Sequence, residues 1–261
     1  MDKLQFEDVI KEIESKKRPS TKQKALAFYL QKYLENNNAS MFADLALYFK
    51  DIADLKWVEN QILKMQSAYA SLRFAKFVPI DRLQEHQQVV LNSNNASYCI
   101  GFAKIKGADQ SKLSKVVLNS KSALNSYEYL AVNSKTDKRD HLAVIIEDNN
   151  PYHLLRTAIM LKGAGCKSIE NAILKFDNAE YCYIYAKHVA GANIRYMQEM
   201  VLYTGSLEDI LKFAQDIQST DIEFYIKRLW EKFEKRPTKE LKETLTKLFN
   251  IYDERNPKEK Q

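Results

Sequence analysis

The architecture of this chain is written in Asn178-Ala179-Glu180-Tyr181-Cys182-Tyr183-Ile184-Tyr185-Ala186-Lys187, read beside Asn95-Ala96-Ser97-Tyr98-Cys99-Ile100-Gly101-Phe102-Ala103-Lys104. Asn, Ala, Tyr, Cys, Ala and Lys coincide at a separation of 83 residues, three periods of 28 with one residue missing. A recurrence of this length marks a stacked-repeat protein. Each unit is too small to bury its own apolar face, so neighbours bury it for one another.

Two series carry the period along the chain. One is an alanine: Ala75, Ala103, Ala131, Ala158, Ala186 and Ala214, with steps of 28, 28, 27, 28 and 28. The residue before it is Phe74, Phe102, Leu130, Thr157, Tyr185 or Phe213, and a degenerate first copy puts Phe49 in the alanine slot. The second series is Leu63, Leu91, Leu118, Ile146, Leu174, Leu202 and Trp230, with steps of 28, 27, 28, 28, 28 and 28. Each series contains one 27-residue step.

Each unit reads as two short helices. Around the best copy the first spans Ser168 to Phe176, with Ile169, Ala172 and Ile173 at i, i+3 and i+4. Asp177-Asn178 ends it and caps the next helix, Ala179 to Val189. There Cys182, Tyr185, Ala186 and Val189 share one face. Gly191-Ala192-Asn193 closes the unit, glycine supplying a left-handed end, and Gly107-Ala108-Asp109 and Gly163-Ala164-Gly165 repeat that junction. The reading is an all-α fold: an α-solenoid of about seven two-helix repeats with distinct helical caps at both ends. At roughly 10 Å of helix width per unit, the array would be on the order of 70 Å long.

The expected organisation is an N-terminal helical cap over 1–40, a repeat array over 41–233, a C-terminal cap helix over 234–252 and a disordered tail over 253–261. In the first cap, helices are expected over 4–14 and 20–35, with Ser20 or Thr21 as N-cap.

Composition narrows the function classes. Six Gly and five Pro in 261 residues argue against a turn-rich all-β protein. No run of 18 apolar residues exists, so no membrane span is expected. The first seven residues carry acid and no apolar segment, unlike a signal peptide. Three cysteines without a CxxC read as reduced, buried thiols, which suits the cytoplasm. The net charge of +6 is spread thinly: residues 1–40, 41–233 and 234–261 each hold +2.

Motifs that suggest chemistry dissolve into the repeat. Gly163-Ala164-Gly165-Cys166 follows a helix and lacks a following GK[ST], so it reads as a helix junction rather than a phosphate loop. Cys99 and Cys182 share a slot on the apolar helix face. His86, His141, His153 and His188 show no metal-binding spacing. No catalytic, cofactor or metal residue is assigned, and no small-molecule substrate is evident. The strongest surface signal is a lysine after the anchor, at Lys50, Lys76, Lys104 and Lys187, which reads as a basic row or as a solubilising rim. Among 15 tyrosines, Tyr183 and Tyr196 stand out as candidate contact residues.

The phrases Asn178 to Ile194 and Gly101 to Asp109 resemble short tandem helical repeats of the AEYxYxFAKxVxGANI style. Such repeats occur in uncharacterised proteins of large DNA viruses, bacteriophages and some bacteria. The resemblance covers residues 41–230, strongest over 168–195 and weakest over 120–160. It implies an α-solenoid and a viral or phage origin, in host cytoplasm or virion, and it carries no catalytic residue. The function expected is a non-enzymatic scaffold or adaptor binding a protein along its concave surface. The alternative is a nucleic-acid-binding solenoid using the lysine row and exposed tyrosines.

Overall fold

The computed structural model describes residues 3–79, 81–133, 138–162 and 167–257, and within them the chain forms seventeen helices and no strand. Two longer helices lead, α1 (Lys3–Ser15) and α2 (Pro19–Glu35). Then come α3 (Ala39–Tyr48), α4 (Leu55–Met65), α5 (Ala68–Phe77), α6 (Leu83–Asn92), α7 (Ala96–Ala103), α8 (Gln110–Asn119), α9 (Ala123–Val132) and α10 (Arg139–Glu147). They are followed by α11 (Pro151–Leu161), α12 (Lys167–Leu174), α13 (Ala179–His188), α14 (Ile194–Thr204), α15 (Leu207–Asp216), α16 (Ile222–Lys235) and α17 (Lys239–Arg255).

Even-numbered helices from α4 to α16 are the first of each repeat, and odd-numbered helices from α3 to α15 are the second. The chain divides into two compact parts, Met1–Val144 and Ile145–Gln261. In the first, α3 packs on α5, α5 on α7 and α7 on α9, while α4 packs on α6 and α6 on α8. In the second, α11 packs on α13, α13 on α15 and α15 on α17. Neighbour-on-neighbour packing of helix pairs is the α-solenoid arrangement.

The corner into each second helix follows one local rule. Its N-cap is Asn38, Ser67, Asn95, Ser122, Asn150, Asn178 or Ser206, and each side-chain oxygen accepts a backbone N–H two or three residues on. The residue before the first six caps, Asn37, Gln66, Asn94, Lys121, Asn149 or Asp177, has φ between 48 and 51. One left-handed residue followed by a capping side chain turns the chain within two positions. Asn and Asp tolerate that conformation well; Gln66 and Lys121 adopt it at some cost. The seventh corner uses Gly205, with φ −88, for another reason: a Cβ there would sit 2.6 Å from the Val201 carbonyl oxygen. At the opposite corner Gly107 and Gly191 are left-handed, with φ of 90 and 76, as the junction motif predicts. Gly163 to Cys166 lie outside the described residues.

The buried rows correct the phase of both sequence series. Leu45, Phe74, Phe102, Tyr129, Thr157, Tyr185 and Phe213 are each at most 1% exposed. They lie seven residues after their caps, and each apolar side chain among them contributes about 1.5–3 kcal/mol by leaving water. The next residue is Ala46, Ala75, Ala103, Leu130, Ala158, Ala186 or Ala214. All are buried except Ala186, which is half-buried. Ala131 is therefore not the anchor of its repeat: it is exposed, and Tyr129-Leu130 fill the pair of slots. Ser122 caps α9 27 residues after Asn95 caps α7, so the whole helix is shifted by one. Both series then slip over the same interval.

Phe49 is likewise not in the alanine slot. It is the C-cap of α3, and Ala46 is the fully buried equivalent. On the first helices the buried centre is Ile62, Val90, Val117, Ile145, Ile173, Val201 and Leu229, all 0% exposed. That row is one residue before the leucine series, and Trp230, its last member, is 44% exposed.

The ends differ from expectation in two places. Pro19 opens α2 at its first position with Arg18 as N-cap, because proline's fixed φ and missing N–H suit a helix start; Ser20 and Thr21 lie inside the first turn. At the other end α17 stays helical to Arg255, past the expected start of a disordered tail at Asp253. The Arg255 guanidinium donates to the carbonyls of Ala214, Gln215, Ile217 and Gln218, capping the end of α15.

Candidate interaction surface

Buried polar groups tie successive first helices together, so their roles precede any question of chemistry. Gln87 Nε2 donates to the Asp109 carbonyl at 3.0 Å, and Asp109 N–H donates back to Gln87 Oε1 at 2.8 Å. Gln198 makes the same double bond with the Asp221 backbone, at 3.2 and 3.0 Å. Glu170, in the same repeat slot, accepts from Asn193 N–H at 2.9 Å. Each side chain satisfies the backbone at the N-cap of the next repeat's first helix.

Where that partner is missing, a histidine replaces it. Glu59 Oε1 lies 3.3 Å from His86 Nε2, and Ser114 Oγ lies 2.9 Å from His141 Nε2. His86 stacks on Phe74 at 5.7 Å and His141 on Tyr129 at 4.7 Å. Both histidines are 0% exposed. Burial pushes His86 down to about 4 and lowers His141, and it raises Glu59. Ser71 Oγ and Ser126 Oγ, fifteen residues before each histidine, are buried without a hydrogen-bond partner among the described residues. All four side chains are 0% exposed. Burial also pushes the Cys99 thiol up to about 11 and the Cys182 thiol up to about 12, which keeps both unreactive.

The exposed chemistry lies on the second helices. On α3 and α5, Tyr69 Oη donates to Asp44 at 2.9 Å and Arg73 Nε donates to Asp44 at 3.0 Å. The Arg73 guanidinium and the Lys76 ammonium sit 4.9 and 5.1 Å from the Phe77 ring centre. On α11, Arg156 donates to Tyr152 Oη at 3.1 Å and lies 5.2 Å from its ring. On α13 and α15, Lys187 Nζ lies 2.7 Å from both Asp216 Oδ2 and Tyr183 Oη, and Lys212 sits 4.4 Å from the Tyr183 ring. Tyr183 Oη also donates to Asp216. The Asp216 hydrogen bond holds Lys187 above the usual lysine range, and Lys187 holds Asp216 below the usual carboxylate range.

The six sequence candidates scatter over this frame. Lys76, in the last turn of α5, and Lys104, the C-cap of α7, share a repeat slot and are exposed. Lys50 falls in the turn after α3, and Leu47 holds its slot, because that copy begins earlier than the sequence pattern implied. Lys187 and Tyr183 are joined to one another and to Asp216. Tyr196, 55% exposed, is on α14, a first helix. The reading missed the cation–ring pairs, although Tyr69-x3-Arg73-x3-Phe77 and Tyr152-x3-Arg156 show the i, i+4 spacing that brings helix side chains together.

Among the described residues no three His, Cys, Asp or Glu side chains gather as a metal site, and no helix is long and apolar enough to cross a membrane. No protein-family model, curated protein or solved structure matches the chain.

Proposed function

We propose that this chain is a non-enzymatic helical-repeat adaptor that binds a protein partner through aromatic side chains at the surface of its second helices. The observation that carries the reading is the recurrence of a surface ring flanked by a cation on α5, α11 and α13: Phe77 with Arg73 and Tyr152 with Arg156, both rings exposed, and the half-buried Tyr183 with Lys187. Aromatic and arginine side chains dominate the energetics of protein interfaces. The cations hold the rings in place, so little side-chain entropy is lost on binding. The likeness of Asn178 to Ile194 to repeats of large DNA viruses and bacteriophages favours a virion or host component as the partner.

The test is affinity capture with the full chain, comparing wild type with the variant F77A/Y152A/Y183A. The reading expects a specific protein captured by wild type and lost in the variant, with helicity unchanged. Equal capture by both chains refutes the assignment of these side chains. A second reading, nucleic-acid binding, draws on Lys76 and Lys104 in one slot of adjacent repeats. Arg73 and Lys187 count against it, since Asp44 and Asp216 already neutralise them. Titration with single- and double-stranded oligonucleotides at low salt separates the readings: affinity falling steeply with salt supports the second, and absence of binding removes it.

A further inference from the structure

The repeat built on α16 leaves apolar side chains in water. Between α16 and α17 lies an open groove of about 560 Å³ floored by Ile226, Trp230, Phe249 and Tyr252. Trp230 is 44% and Phe249 42% exposed. In the six earlier repeats the slot of Trp230 holds Leu or Ile, buried or half-buried. Here it holds the largest apolar side chain and leaves it in water. A surface ring of that size beside an apolar groove marks an interaction site.

The charges beside the groove indicate what covers it. Along α16, Glu223, Lys227, Glu231 and Lys235 stand four residues apart and are exposed. They form one stripe of alternating sign. Each Glu precedes a Lys by four positions, the spacing that favours pairing within a helix. Yet Lys227 and Lys235 make no ion pair among the described residues. Such a stripe is self-complementary when read in reverse. An antiparallel α16 centred on residue 229 places Lys227 opposite Glu231 and Glu223 opposite Lys235, each twice by symmetry.

We infer that a second copy of this chain docks on the α16–α17 face, with the two α16 helices antiparallel about a two-fold axis near Leu229. The interface is isologous: every contact occurs twice, so one modest patch supplies two aromatic anchors and four ion pairs. The Arg228–Glu231 pair at 3.3 Å within one helix is exposed and gives way readily to the intermolecular partner. This dimer surface does not depend on the adaptor reading.

The test is sedimentation equilibrium of the full chain from ~1 to ~100 µM at low salt, a range that covers micromolar self-association. The wild type dimerises with rising concentration. Trp230→Asp weakens dimerisation at least ~100-fold, as loss of an aromatic anchor does. Lys227→Glu and Glu231→Lys each weaken it ~10-fold, because symmetry turns two attractions into repulsions. An equimolar mixture of those two variants recovers wild-type association as a heterodimer. The mixing experiment stands even if the tryptophan variant folds poorly. A chain that stays monomeric throughout overturns the inference. So does a mixture that fails to recover, which would assign the groove to a foreign amphipathic helix or to no occupant.

Discussion

Tyr129, rather than Ala131, is where the phase of the fourth second helix is decided, and substitution measures it. Tyr129 is 0% exposed, its hydroxyl donates to the Gln110 carbonyl at 2.7 Å, and His141 stacks on its ring at 4.7 Å. Tyr129→Ala empties an aromatic-sized site and should cost about 3–5 kcal/mol. Tyr129→Phe keeps the ring and loses the hydrogen bond, so about 1 kcal/mol is expected, with a further cost from the orphaned carbonyl. Ala131→Leu adds three carbons at an exposed position and should change stability by less than about 0.5 kcal/mol. Urea unfolding followed by far-ultraviolet circular dichroism reads all three. With an m-value of about 2 kcal/mol/M, Tyr129→Ala lowers the midpoint by roughly 1.5–2.5 M and Ala131→Leu leaves it within about 0.3 M. If Ala131→Leu instead costs the 1–3 kcal/mol of an overpacked seam and Tyr129→Ala is mild, the helix is one residue out of phase and the assignment of slots fails.

The buried histidine makes stability pH-dependent. The folded pKa of His86 is pushed from 6.5 to about 4, so the folded state binds fewer protons, and stability present above 6.5 is lost as pH falls from 6.5 to 4. The loss is on the order of 3 kcal/mol, opposed in part by Glu59, whose raised pKa acts in the other sense. His86→Leu, the residue buried at Leu113 in the equivalent slot, should flatten the acid limb of a melting-temperature profile; an unchanged limb refutes the assignment. Gln198→Ala breaks both bonds to Asp221 and should cost about 1–3 kcal/mol. Gln198→Glu keeps the acceptor, as Glu170 does at Asn193, and should recover part of that loss in the same urea assay. Gly205→Ala forces a Cβ against Val201 O at 2.6 Å and Ala179 Cβ at 3.0 Å, so a fall of about 1–3 kcal/mol is expected. Thermal stability equal to wild type would mean the corner relaxes freely.

The two-helix repeat was legible because it rests on local physics. Apolar spacing of 3.6 residues, the Asp177-Asn178 corner and the left-handed Gly191 need only the chain nearby. The same locality explains the errors. Leu130-Ala131 looks like the slot pair by residue type, yet the cap at Ser122 sets where α9 begins, and burial follows from that start. Trp230 continues a leucine series in sequence and stands in water in space, because no helix among the described residues buries that side of α16.

The lysine row shows the same division. Sequence alone read Lys187 as part of a basic row or of a solubilising rim. Its partner Asp216 is 29 residues away, on the next second helix, and only the packing of α13 on α15 brings the carboxylate within 2.7 Å. Period, helix pairing and corner chemistry are properties of short segments, so the sequence by itself determined them. Which face of each helix is buried, which charges neutralise one another and which rings stay exposed depend on contacts between segments 27 to 33 residues apart. Those contacts exist only once the helices have stacked, so tertiary structure decided them.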